Sequence, residues 1–135
     1  MIHVIMGLKG SGKTKKLIDS INATAASAQG SVVCIEYGSN LRYEVKSSVR
    51  LVSSKEYGIN NLDMLKGFLS GLHAGNFDIT HVYIDNLYKT IGTDRANGEA
   101  FISWCANFAA TNNMNITITV SDDAALASET VKQYL

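Results

Sequence analysis

A glycine-rich stretch, "GLKGSGKT" (residues 7–14), follows directly on the apolar run "MIHVIM" and leads into an amphipathic segment that begins at Lys13. This order constrains the chain more than any other feature. Residues 2–6 have no polar face to turn to water apart from His3, so they read as a strand covered on both sides. A strand of that kind belongs in a parallel sheet with helices on both faces, and the segment behind the glycines supplies the first of those helices, from Lys13 to about Ala28.

The stretch fits the spacing G-x-x-x-x-G-K-[ST] at Gly7, Gly12, Lys13 and Thr14. Glycine at 7 and 12 permits backbone angles and a close approach that a Cβ would block, so successive N–H groups can point inward at an anion. Gly10 adds slack beyond what the pattern needs. The helix that starts near Lys13 aims its unpaired N–H groups and positive dipole end at the same place. The candidate phosphate-binding stretch therefore runs through Gly7, Leu8, Lys9, Gly10, Ser11, Gly12, Lys13, Thr14 and Lys15. Lys13 would reach the β- and γ-phosphates, and the Thr14 hydroxyl would serve Mg²⁺. Lys9, Lys15 and Lys16 read as solvated charges that raise the local concentration of anions.

Apolar runs and helical periods alternate along the rest of the chain. Strands are expected at 31–37, 48–53, 81–85 and 115–120. Leu62, Leu65, Phe68, Leu69 and Leu72 recur at helical steps across 61–73, and Phe101, Cys105, Phe108 and Ala109 mark another helix. Residues 89–98, "KTIGTDRANG", read as a polar loop. Ser121 or Asp122 would cap a last helix running toward Leu135, packed through Ala125, Val131 and Leu135. The 135 residues fit one domain, 1–135, with a mostly parallel five-stranded sheet in a three-layer α/β arrangement. Ligands of such sheets bind beyond the carboxyl ends of the strands.

Charge narrows the function classes. Twelve Lys and Arg balance twelve Asp and Glu, so no chain-wide attraction to nucleic acid exists and any anion site must be local. Cys34 and Cys105 lie far apart in apolar segments, which fits buried free thiols in a reducing compartment. The opening apolar run is short and lacks a basic flank, and no segment approaches a membrane span. The expected location is the cytoplasm, with no membrane partner.

A phosphate cradle of this type needs a carboxylate to hold Mg²⁺, at the end of a neighbouring buried strand. "HVYID" supplies Asp85. With both parts in place, the chain resembles the P-loop NTPase superfamily over nearly all its length, and within it the branch shared by RecA-like ATPases and thymidine-kinase-like enzymes. The thymidine-kinase resemblance rests on "GLKGSGKT", on the arginine-bearing "EYGSNLRY" (36–43) and on "YIDNLYK" (83–89). That family follows its metal-binding Asp with a Glu; here Asn86 follows Asp85, and no C-x-x-C pair exists for that family's zinc-bearing lid.

RecA-like ATPases carry a catalytic Glu near the end of the strand after the P-loop helix, and Glu36 occupies a comparable place as a candidate base beside Lys13. A surface acid at a strand end is the alternative for Glu36. Ser121 resembles the polar residue with which this branch senses the γ-phosphate, and helix capping explains the same residue. Arg42, Arg50 and Arg95 are candidates to neutralise phosphate charge, while His3, His73 and His81 are scattered and read as structural.

The resemblance implies ATP and Mg²⁺ as ligands, and first a small Mg²⁺-dependent ATPase, stimulated by self-assembly or a protein partner. A nucleotide-binding switch or assembly subunit without hydrolysis is the alternative that Asn86 supports. A minimal thymidine-kinase-like phosphotransferase ranks last.

Overall fold

The computed structural model describes residues 1–135. The chain forms β1 (Ile2–Gly7), α1 (Lys13–Ser27), β2 (Ser31–Glu36), β3 (Arg50–Ser53), α2 (Leu62–Gly75), β4 (Ile79–Ile84), α3 (Leu87–Ile91), α4 (Arg95–Asn112), β5 (Asn115–Ser121) and α5 (Glu129–Lys132), with one turn of 3₁₀ helix at Ala124–Leu126. The five strands make one sheet in the order β1-β5-β4-β2-β3, and every pairing is parallel.

Alternation along β2 shows how the layers are built. Val33 and Ile35 join a large apolar cluster with Leu65 and Leu69 of α2 and Phe101, Ile102 and Cys105 of α4. Val32 and Cys34 join a smaller one with Leu17 and Ile21 of α1. Successive strand residues point to opposite faces, so α1 covers one face and α2 and α4 the other: a three-layer α/β fold. Each buried Leu, Ile or Val in these clusters contributes about 1.5–3 kcal/mol by leaving water. Cys34 and Cys105 are buried free thiols, one on each face.

Two expectations from the sequence change. Residues 89–98 are not a continuous loop: α3 ends at Ile91, and α4 already begins at Arg95. Leu87, Tyr88 and Ile91 are buried on the larger cluster, and the Asp94 carboxylate caps α4 by accepting the Asn97 N–H at 3.1 Å. The polar residues around them masked this short apolar period.

The carboxyl end is not one helix started by Ser121 or Asp122. Ser121 is still strand, paired with Gly7, and the 3₁₀ turn and α5 take their own caps from Asp123 and Ser128. Val131 is buried as expected, but Ala125 and Leu135 are exposed, and Ala127 is buried in their place. The Tyr134 carbonyl accepts the Val4 N–H at 2.9 Å, drawing the chain end onto the outer edge of β1. No helix is long and apolar enough to cross a membrane.

Candidate functional site

From the carboxyl end of β1 the chain turns into α1 on one face, and from that of β4 into α3 and α4 on the other. β5 lies between them, so a crevice opens above its end, where parallel sheets receive ligands. A cleft of about 370 Å³ occupies this place, lined by Lys9, Gly10, Gly12, Lys13, Thr14, Lys15, Asp85, Asn86 and Ser121. None of the nine is apolar.

The loop from β1 to α1 is built on left-handed glycines. Gly10 has φ +83° and Gly12 φ +86°, so Gly10 is a conformational requirement and not merely slack. A Cβ at Gly7 would lie 2.5 Å from the Ser11 hydroxyl oxygen and 3.2 Å from its Cβ, so Ser11 would have to shift to admit one. Ser11 closes a turn by donating its N–H to the Leu8 carbonyl at 3.1 Å, while the Leu8 side chain is exposed.

Gly12 stands at the N-cap of α1 and offers no side-chain cap, whereas α2, α4 and α5 are each capped by a side chain, from Asn61, Asp94 and Ser128. The N–H groups of the first turn of α1 are thereby left to whatever enters the cleft. Lys13 is only 9 % exposed, and its ammonium donates to the Leu8 carbonyl at 3.0 Å. Lys13 lines the cleft and its ammonium has one neutral partner, so it is placed to exchange a carbonyl for an anion.

Asp85 sits one residue beyond β4 and faces the start of α1. Its Oδ1 accepts the Thr119 hydroxyl at 2.8 Å and the Thr14 hydroxyl at 3.5 Å, and Thr119 Oγ1 accepts the Asn86 N–H at 2.7 Å. Thr119 is fully buried on β5, the strand between the two halves of the site. The sequence reading missed it; its one signal is a hydroxyl between Ile118 and Val120. Asn86 adopts φ +56°, a left-handed geometry that asparagine tolerates better than most residues, and this turns the chain from β4 into α3. Ser121 reaches the cleft because its strand pairs with β1 at Gly7.

Other sequence candidates are placed elsewhere. Glu36 is 5 % exposed and does not line the cleft; its two carboxylate oxygens accept the N–H groups of Asn40 at 2.8 Å and Leu41 at 3.2 Å. It is not a surface acid, and its two oxygens clamp the loop after β2. Cys34, two residues earlier, has its thiol pushed up by burial and then by the negative charges of Asp85 and Glu36. Lys9 and Lys15 line the cleft, and Lys15 is an exposed ion pair with Asp19 at 2.8 Å. Lys16 is exposed outside it.

Arg42 lies over the Tyr43 ring, and Arg50 is exposed on edge strand β3. Arg95 grips Asp122 through two hydrogen bonds, at 2.9 and 2.8 Å. That grip holds the Asp122 carboxyl well below the usual carboxylate range. Tyr88 donates its hydroxyl to the same carboxylate, and burial, reinforced by Asp122, pushes its pKa up to about 12. The Asp122 N–H in turn donates to the Gly7 carbonyl at 3.1 Å, so this network braces the root of the glycine loop.

His3 is exposed, His73 packs near Phe77 and Phe108, and burial lowers the His81 pKa. No group of three or more His, Cys, Asp or Glu side chains is arranged to hold a metal. No protein-family profile matches the chain, and no curated protein sequence matches it either.

Proposed function

We propose that this chain is a member of the P-loop NTPase superfamily that binds a nucleoside triphosphate, ATP in the first instance, with Mg²⁺, and that it acts as a nucleotide-binding switch or assembly subunit. The observation that carries this reading is the convergence in one polar cleft of an uncapped helix N-terminus, the Lys13 ammonium and the Thr14–Asp85 pair.

The donor set fits a hard cation. Thr14 and Asp85 offer oxygen ligands, and phosphate and water oxygens would complete a Mg²⁺ shell, since that ion keeps several waters and needs few protein groups. When bound, Mg²⁺ neutralises phosphate charge. Lys13 exchanges the Leu8 carbonyl for a phosphate oxygen, the first turn of α1 donates its free N–H groups, and Thr119 holds Asp85 in position.

The position of Glu36 outside the cleft lining favours the switch over a self-sufficient ATPase, because a base must lie within hydrogen-bond reach of the attacking water. Asn86 cannot take that proton. A RecA-like ATPase completed by a base from another copy or a protein partner is the second reading. A phosphotransferase is third, and nucleoside-dependent release of ADP would restore it.

Calorimetric titration with ATP, with and without Mg²⁺, tests the assignment. Lys13→Ala should weaken binding by about 100-fold, the scale of a lost charge-assisted contact, and Lys16→Ala by less than about twofold. Asp85→Asn should keep metal-free binding and lose its enhancement by Mg²⁺. Equal affinities for wild type and Lys13→Ala would refute the phosphate cradle. Wild-type protein should release no ADP above the Lys13→Ala background, and turnover that disappears in Glu36→Gln would reinstate the ATPase.

A further inference from the structure

We infer that the outer edge of β1 is a strand-addition site for a second copy of this chain, covered in the single chain by its own carboxyl end. This surface is separate from the phosphate cleft, with which its flanking grooves share no lining residue.

β1 stands at one end of the sheet and pairs only with β5. The Ile116 N–H donates to the Met1 carbonyl and the Asp122 N–H to the Gly7 carbonyl, so the odd-numbered residues turn their main-chain groups to β5. Those of Ile2, Val4 and Met6 point outward, and of these only the Val4 N–H has a partner, the Tyr134 carbonyl at 2.9 Å. Natural sheets blunt their edges with short strands, charges, proline or bulges. β3, at the opposite end, has four residues and opens on the exposed Arg50. β1 has six, none charged and none proline, in unbroken register with β5. Its one protection is the chain end.

The surface around this edge fits its own copy. On the α4 side a groove of about 530 Å³ is lined by Met1, Ile2, Ala106, Ala110 and Tyr134 among others, and on the α1 side one of about 380 Å³ runs past Ile5 and Met6. Lys16 is the one Lys, Arg, Asp or Glu that lines either groove, and none of these occurs from Ala100 to Ser121. In a two-fold interface each patch meets itself, so a charge near the axis repels its own copy, and an uncharged edge is self-complementary. Antiparallel pairing about Val4 sets Ile2 of each copy opposite Met6 of the other, and every outward N–H then meets an outward carbonyl. The single Tyr134 bond is exchanged for a ladder.

Sedimentation equilibrium and amide exchange on the full chain without nucleotide test this. In wild type, exchange of the Ile2 and Met6 amides should slow as rising protein concentration forms the dimer, while that of Leu51, on β3, should not. Tyr134 is half-buried against the larger cluster and anchors the chain end, so Tyr134→Ala should tighten dimerisation by at least about fivefold, the scale of one net hydrogen bond. His3→Lys, at an exposed position of β1, should weaken the dimer in both backgrounds. Wild type that shows neither a dimer nor concentration-dependent exchange at millimolar protein would overturn the inference, whether or not Tyr134→Ala folds. So would a dimer that leaves the Ile2 and Met6 amides unprotected, or one that His3→Lys does not weaken.

Discussion

The two faces of the sheet are held in different ways. Under α2 and α4 lies a broad apolar cluster that draws on every strand and includes the fully buried Phe101, with Trp104 stacked beside it. Under α1 the cluster is small, and part of the attachment is polar: the Tyr83 hydroxyl sits 3.1 Å from Ser20 Oγ and 2.7 Å from Thr24 Oγ1. The face that carries the phosphate-binding helix is the less apolar one. Stability is concentrated on one side of the sheet and the orientation of α1 on the other, so losses of fold and losses of site are separable.

The largest test of that separation is Phe101→Ala. Removing this ring should cost about 3–5 kcal/mol of unfolding free energy, read by urea denaturation, because it leaves a cavity in the larger cluster. ATP affinity of the protein that remains folded should stay within about twofold, since Phe101 touches nothing in the cleft. An affinity that fell in step with stability would show that the two faces act as one unit.

Gly10→Ala should come next. No atom lies within 4 Å of a Cβ placed there, so the whole effect is the cost of holding alanine at φ +83°, about 1–2 kcal/mol. It should appear in ATP affinity as well as in stability, because relaxing the strain moves the loop. An unaltered affinity would remove Gly10 from the cradle.

Tyr83→Phe should cost about 1 kcal/mol, the net value of a hydrogen bond at a partly buried site. The loss would lie in the seating of α1, so amide exchange should quicken in α1 more than in α4. Equal acceleration in both helices would contradict the contrast between the faces.

The smallest effect concerns pH. Arg95 holds Asp122 below its ordinary value, so the stability this pair contributes is present above the unfolded-state value of about 3.9 and is lost as the pH falls below it. Melting temperatures followed from pH 7 to pH 3 should decline less steeply in Asp122→Asn than in wild type. Parallel curves would show that the bidentate pair gives the loop root no stability.

Much of the fold was legible because it rests on local periodicity. The stripe from Leu62 to Leu72, the apolar run of "VVCIEY" and the glycine spacing at 7 and 12 are properties of neighbouring residues, and each appears where the pattern places it. The element α3 was not legible, since five residues hold too little period to outweigh the polar company of Lys89, Thr90 and Gly92. The split carboxyl end was hidden for a similar reason: Asp123 and Ser128 compete as caps, and packing of Ala127 and Val131 decides between one helix and two short turns.

By itself the sequence determined that a buried strand would end in a glycine loop and a helix, with Lys13 and Thr14 at the helix start and Asp85 at the end of another strand. Which residues meet there was decided by strand order. Placing β5 between β1 and β4 sets Thr119 against Asp85 and Ser121 beside Gly7, while β2 lies one strand farther out, where Glu36 turns to the loop it clamps. Neighbours across a sheet are chosen by pairing and packing between segments distant along the chain, and no local period records that choice.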